Sequence, residues 1–107
     1  MEQTATIKKT EAKTIDINGK EWFDKVNGNS YFSAEATVNF GMEDERTFKV
    51  PFQYGYGDSY IHEAGYLLCE CGELALSLNE QLYVYCDKND IILRTHKETG
   101  CKKRDCK

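Results

Sequence analysis

A chain of 107 residues, 40% hydrophobic and 30% charged, has the length for one modest core and the balance of a soluble globular domain. No run approaches the roughly 18 apolar residues of a transmembrane helix, and residues 1–13 are too polar and mixed in charge for a signal peptide, so a cytoplasmic protein is expected. The net charge of −4 is unevenly spread: residues 94–107 carry six Lys/Arg against two Asp/Glu, a net of +4, which leaves −8 on residues 1–93. An acidic body disfavours general binding to phosphate backbones, which needs clustered cations, and suits docking on basic clefts.

Residues 1–12 lack periodicity, although Ala5 and Ile7 could extend a first strand. Thr14 to Ile17 reads as a short strand ended by Asn18-Gly19. From Lys20 to Val26, Trp22 and Val26 lie four apart on one helical face, which predicts a helix of about two turns, with Asn18 placed to cap its start and Gly28 to close it. Ser30 to Phe40 alternates strictly, with Phe32, Ala34, Ala36, Val38 and Phe40 on one side. After the polar turn Gly41–Glu45 the alternation returns through Phe48, Val50 and Phe52, so an antiparallel hairpin is expected. Pro51 lacks a ladder donor and belongs near a strand end or at a sheet edge.

Across Pro51-Phe52-Gln53-Tyr54-Gly55-Tyr56-Gly57-Asp58 the apolar period changes from two residues to about three and a half. Tyr60, Ala64, Leu67, Leu68 and Cys71 mark a helix with Asp58 or Ser59 as its N-cap and Gly72 as its stop. Gly65 within it suggests close packing on the sheet. Leu74, Leu76 and Leu78 alternate like a strand but also suit a helical continuation. Leu82–Cys86 and Ile91–Leu93, joined by Asp87–Asp90, read as a second hairpin.

The resulting expectation is an α+β fold of order β-α-β-β-α-β-β: a mostly antiparallel sheet of two β-hairpins with two helices on one face. Residues 1–94 form the domain, and residues 95–107 form a basic, cysteine-containing tail with no evident means of burial.

The candidate binding residues are Tyr54, Tyr56 and Asp58 in the loop and Glu43, Asp44 and Glu45 at the hairpin tip. Tyrosines give a large contact area at little entropic cost, and three carboxylates on a projecting tip can steer docking on a basic groove. The same residues have a purely structural explanation, with glycines supplying a turn, tyrosines covering the edge of the core, and acidic residues solvating a tip. Anion binding at the helix start is opposed by Asp58.

No catalytic residue is assigned. His62-Glu63 lacks the second histidine of a metalloprotease pattern, and there is no Gly-x-Ser-x-Gly or phosphate-loop signature. Cys69 and His62 lie two helical turns apart, too far to share a proton. The five cysteines (Cys69, Cys71, Cys86, Cys101 and Cys106), with His62 or His96, could supply zinc ligands, but their spacing is not that of a zinc ribbon, so reduced thiols and no cofactor or metal are expected. In the tail, Lys102, Lys103, Arg104 and Lys107 offer phosphate contacts, yet no aromatic residue stands beside them in sequence to stack on a base. Direct nucleic-acid binding is therefore not expected.

The run Glu21-Trp22-Phe23-Asp24-Lys25-Val26-Asn27-Gly28-Asn29-Ser30-Tyr31-Phe32-Ser33, followed by Val50 to Asp58, resembles small, largely uncharacterised proteins encoded by bacteriophages and prophages. The resemblance covers about half of the chain and names no chemistry. It implies a small protein acting in the bacterial cytosol. Proteins of that kind often bind and inactivate host proteins, anti-CRISPR proteins being one such group. The partner implied is a bacterial host protein with a basic surface, such as a CRISPR effector or another defence nuclease. The alternative is a small nucleic-acid-associated accessory domain that uses its basic tail, with or without zinc.

Overall fold

A computed structural model describes residues 11–77 and 80–107. The expected strand extension at Ala5 and Ile7, and Leu78 of the leucine alternation, lie outside the described residues. The chain runs β1 (Thr14–Asp24), β2 (Asn29–Val38), β3 (Arg46–Tyr54), α1 (Ser59–Glu70), α2 (Leu82–Lys88), β4 (Ile92–Glu98) and α3 (Lys103–Cys106). The fold is α+β, but its sheet is mixed. In the order β3-β2-β1-β4, the first three strands are antiparallel neighbours and β4 lies parallel to β1.

Three differences from the sequence reading explain this architecture. The helix expected at Lys20–Val26 is instead the second half of β1, where Lys20 pairs with Ser33 and Trp22 with Tyr31, and the start of the turn that follows it. Gly19 does not end the strand. A Cβ there would stand 2.8 Å from the Tyr60 ring of α1, so glycine permits the helix to approach mid-strand. Leu82–Cys86, expected as a strand, is the helix α2, with Leu82 and Cys86 buried one turn apart on its inner side. The second hairpin is thereby replaced by a helix and a parallel strand. β4 also continues through Glu98, beyond the expected boundary at residue 94.

The third difference is local. Phe32 pairs with Gln53 and Ala34 with Val50, so β3 carries one extra residue, a bulge containing Pro51. β3 is an edge strand, and both settings tolerate a missing N–H. The bulge reverses the side-chain parity. Phe48 and Val50 face the core, whereas Phe52 turns to the other side and stacks on Tyr31 with 5.5 Å between centroids.

The core lies between one sheet face and the pair α1/α2. Ile15, Ile17, Phe32, Ala34, Ala36 and Val38 from the sheet meet Tyr60, Ala64, Leu68, Leu82 and Cys86 from the helices. Tyr60, Ala64 and Leu68 recur every four residues, the stripe of an amphipathic helix. Gly65 faces Leu76 and Leu82 rather than the sheet, at ordinary contact distances of 3.5 and 3.8 Å from a built Cβ.

Asn39 fastens the far end of the sheet. It is fully buried with φ 58°, and its Oδ1 accepts from the backbone N–H of Lys13 (2.6 Å) and Thr14 (3.2 Å). Its Nδ2 donates to the Glu11 carbonyl and to Asp44 Oδ2.

Candidate functional site

β3 joins two groups of candidate residues and keeps them apart. The acidic tip precedes its first residue and the tyrosine loop follows its last, a separation of about 26 Å along a nine-residue strand. Glu43, Asp44 and Glu45 thus do not share a surface with Tyr54, Tyr56 and Asp58.

The tip is partly committed to the fold. Asp44 accepts from Asn39, and its carbonyl accepts from Arg46 Nη1 at 2.8 Å. Arg46 also forks onto Glu73, with Nε 3.1 Å from each carboxylate oxygen and Nη2 2.7 Å from Oε1, tying the tip to the segment after α1. The Glu73 carboxylate raises the Arg46 pKa further above its ordinary value. Glu45 accepts from the Gly41 N–H. Glu43 points to solvent.

At the other end, Tyr54 is 61% exposed and Tyr56 67% exposed, with Gly55 buried between them. A Cβ on Gly55 would come within 2.5 Å of the buried Phe32 ring, so this glycine is required by close approach; Gly57, at φ +61°, is required by backbone conformation. Gly55 N–H donates to the Ser30 carbonyl, and Ser30 pairs with Phe23. Exposed Phe23 and Val26, on and beyond the end of β1, therefore belong to the same end of the sheet as the tyrosines. Asp58 occupies the N-cap position of α1. It makes no side-chain capping bond, and its carbonyl accepts from Ile61 and His62.

Lys97 underpins the loop from β4. Its ammonium donates to Glu21 Oε1 and to the Gly57 carbonyl, each at 2.9 Å, and stands 5.6 Å from the centre of the Tyr60 ring. Asp24, at the end of β1, accepts from Asn27 and from the Val26 and Asn27 amides, and the Asn27 side chain above all holds its pKa below the usual carboxylate range.

The sheet face opposite the helices carries an aromatic cluster that crosses three strands. Tyr31 lies 5.6 Å from Trp22, 5.5 Å from Phe52 and 5.9 Å from Tyr54 between ring centroids. The C-terminal segment folds onto this face. The Cys101 N–H donates to the Glu21 carbonyl, Cys106 is 1% exposed, and Lys103 and Lys107 place their ammonium groups 5.3 Å from Trp22 and 5.9 Å from Phe52. The segment read as lacking a means of burial is anchored by its own last cysteine. The stacking rings absent from the tail's sequence are supplied by β1 and β3.

The cysteines divide between the two sides of the sheet. Cys69, Cys71 and Cys86 belong to the helical layer, while Cys101 and Cys106 lie on the opposite face. Among the described residues, no group of three or more His, Cys, Asp or Glu is arranged to hold a metal ion. Burial pushes the Cys86 thiol up to about 11, away from the thiolate a nucleophile requires. Exposed His62 is on α1 and exposed His96 is on β4.

Trp22, Tyr31, Phe52 and Lys97 were not singled out as site residues from sequence, whereas Lys103 and Lys107 were considered only as phosphate contacts of the tail. A signal existed for Trp22: Ile15, Ile17 and Gly19 alternate with Asp16, Asn18 and Lys20, and that period of two continues to Trp22. No family model, curated protein or solved structure matches the chain. No helix among the described residues is long and apolar enough to cross a membrane.

Proposed function

We propose that this chain is a non-enzymatic binding protein that occludes a bacterial host protein, a defence nuclease such as a CRISPR effector being the class that its phage-type resemblance favours. One observation carries the reading: Phe23, Val26, Tyr54 and Tyr56 are large, exposed and gathered at one end of the sheet. Clustered exposed aromatics on a rigid scaffold are the usual anchors of protein–protein contact. Asp24 and Asp58 share that end, so the complementary surface is an apolar pocket with basic groups around it. The acidic tip is too distant to join the same small contact, and Asp44 serves the fold.

The test is capture from a bacterial lysate at physiological salt with wild type and with Tyr54→Ser/Tyr56→Ser side by side. The purified partner is then assayed for nuclease activity. A partner retained by wild type, lost by the variant and inhibited near stoichiometric ratio supports the reading. Equal retention by both, or no inhibition, refutes it. Charge reversal at the tip belongs at Glu43 alone, since changing Asp44 would perturb Asn39 and Arg46.

A further inference from the structure

The sheet face opposite the helices, half-covered by the C-terminal segment, combines two features that the protein-partner reading uses only at Tyr54. One is the ring cluster of Trp22, Tyr31, Phe52 and Tyr54; the other is the set of ammonium groups around it. Lys103 and Lys107 stand against Trp22 and Phe52. Beside them lies an open cavity of ≈ 540 Å³ whose lining includes Lys20 from β1, Lys49 from β3 and Lys107 just after α3, together with Phe52 and Ser33. The volume is that of a site for a small ligand or one unit of a polymer. Three carboxylates share the lining: Glu35 is 3.8 Å from Lys49, Glu98 pairs in register with Lys20, and Asp105 lies two residues before Lys107.

We infer that this face binds single-stranded nucleic acid, with bases stacked on the Trp22–Tyr31–Phe52–Tyr54 rings and phosphates held by Lys103, Lys107, Lys20 and Lys49. The inference does not depend on the protein partner proposed above. Charge complementarity identifies the occupant. Within the basic stretch of residues 94–107, Arg94 is held by Asp16 and Lys97 by Glu21, while Lys102, Lys103, Arg104 and Lys107, against Asp105, belong to the last turn that the fold lays over the rings. Aromatic planes with amines about 6 Å away match a ligand that repeats a π-face and an anion at each unit. A duplex hides its base faces and would use only the lysines. An acidic peptide would use the lysines and leave the rings idle.

Trp22 is the only tryptophan in the chain, so a base stacking there reports itself by quenching intrinsic fluorescence. The probe is oligo(dT) of about ten nucleotides, within the usual span of such sites. Saturable quenching is expected. Each phosphate contact contributes about −0.7 to the slope of log K against log salt, so four lysines predict a slope near −2.8. Lys103→Glu/Lys107→Glu, at exposed positions, should lower affinity about tenfold or more and flatten the slope by about 1.4. Tyr56→Ser alone should leave oligo(dT) binding intact while weakening capture of the protein partner, and this single variant, run in both experiments, separates the two results because Tyr54 belongs to both surfaces. Absence of quenching overturns the inference. So does equal affinity for a duplex of the same length, or for poly-glutamate, because charge alone would then suffice.

Discussion

Asn39 offers the most direct quantitative test of the fold, because one side chain holds the start of β1 to the end of β2. Asn39→Ala removes the acceptor of the Lys13 and Thr14 amides and the donor to Glu11 and Asp44. Stranding the buried Thr14 amide costs about 1–3 kcal/mol. Alanine at φ 58° adds about 1 kcal/mol, because its Cβ crowds the following carbonyl in the left-handed region. The sum is about 3 kcal/mol, a large share of the 5–15 kcal/mol typical of a domain. For a chain of this size each kcal/mol lowers Tm by about 4–8 °C, so a fall of about 12–24 °C is expected. Asn39→Gly relieves the backbone strain while losing the same bonds, and should melt between the two proteins. Asn39→Asp keeps an acceptor but sets a second carboxylate beside Asp44, 2.9 Å from its Oδ2. The pair then holds a proton more tightly when folded, so that variant should regain stability as pH falls from 7 toward 4. Denaturant melts of the four proteins decide the matter. If alanine and glycine variants both fall within about 0.5 kcal/mol of wild type, the side chain is not a fastener and the reasoning fails.

Three glycines should respond with opposite signs. Gly55→Ala and Gly19→Ala drive a methyl into the Phe32 and Tyr60 rings and should each cost about 1–3 kcal/mol in chemical melts, whereas Gly65→Ala meets only ordinary contacts inside α1 and should stabilise by about 0.5–1 kcal/mol. Cys86 is expected to make the protein sensitive to alkali. Its folded pKa of about 11 exceeds the ordinary thiol value near 9, so its contribution is complete below pH 9 and is lost as pH rises toward 11; Cys86→Ala should show a shallower decline over that window. Lys97→Met removes the ammonium shared by Glu21 and the Gly57 carbonyl, and should cost about 2 kcal/mol while accelerating amide exchange in the tyrosine loop.

Much of the sheet was legible in the sequence. β2 and the first half of β3 have one buried side and one wet side, and strict alternation records that difference. α1 was legible because four-residue spacing, a polar start and Gly72 agree with one another. Trp22 and Val26 failed because a four-residue spacing also fits two positions of a strand followed by a turn, and the turn at Lys25–Gly28 was read as the end of a helix. Leu82–Cys86 failed for a related reason. Its apolar run has the composition of a strand, and only contact with α1 and β4 makes Leu82 and Cys86 an inner stripe. The tyrosine loop was visible from composition. The ring cluster was not, since its members come from three strands whose register no local pattern encodes.

The extra residue at Pro51 connects these observations. Without it, Phe52 would continue the inward row of Phe48 and Val50, and Tyr54 would follow it to the helical side. With it, both rings join Tyr31 and Trp22 on the face where the C-terminal segment lies. Gln53 then pairs with Phe32 at the core's edge, and Gly55 enters the narrow space against the Phe32 ring that its lack of a Cβ allows. A single-residue change of parity can redirect every side chain beyond it, which no average of local preferences would anticipate. The aromatic face and the exposed tyrosine end are thus products of one irregularity. Any partner that reads Tyr54 senses the register of β3, and a shift in that register would remove Phe52 from Lys107 and Tyr54 from Tyr31 together.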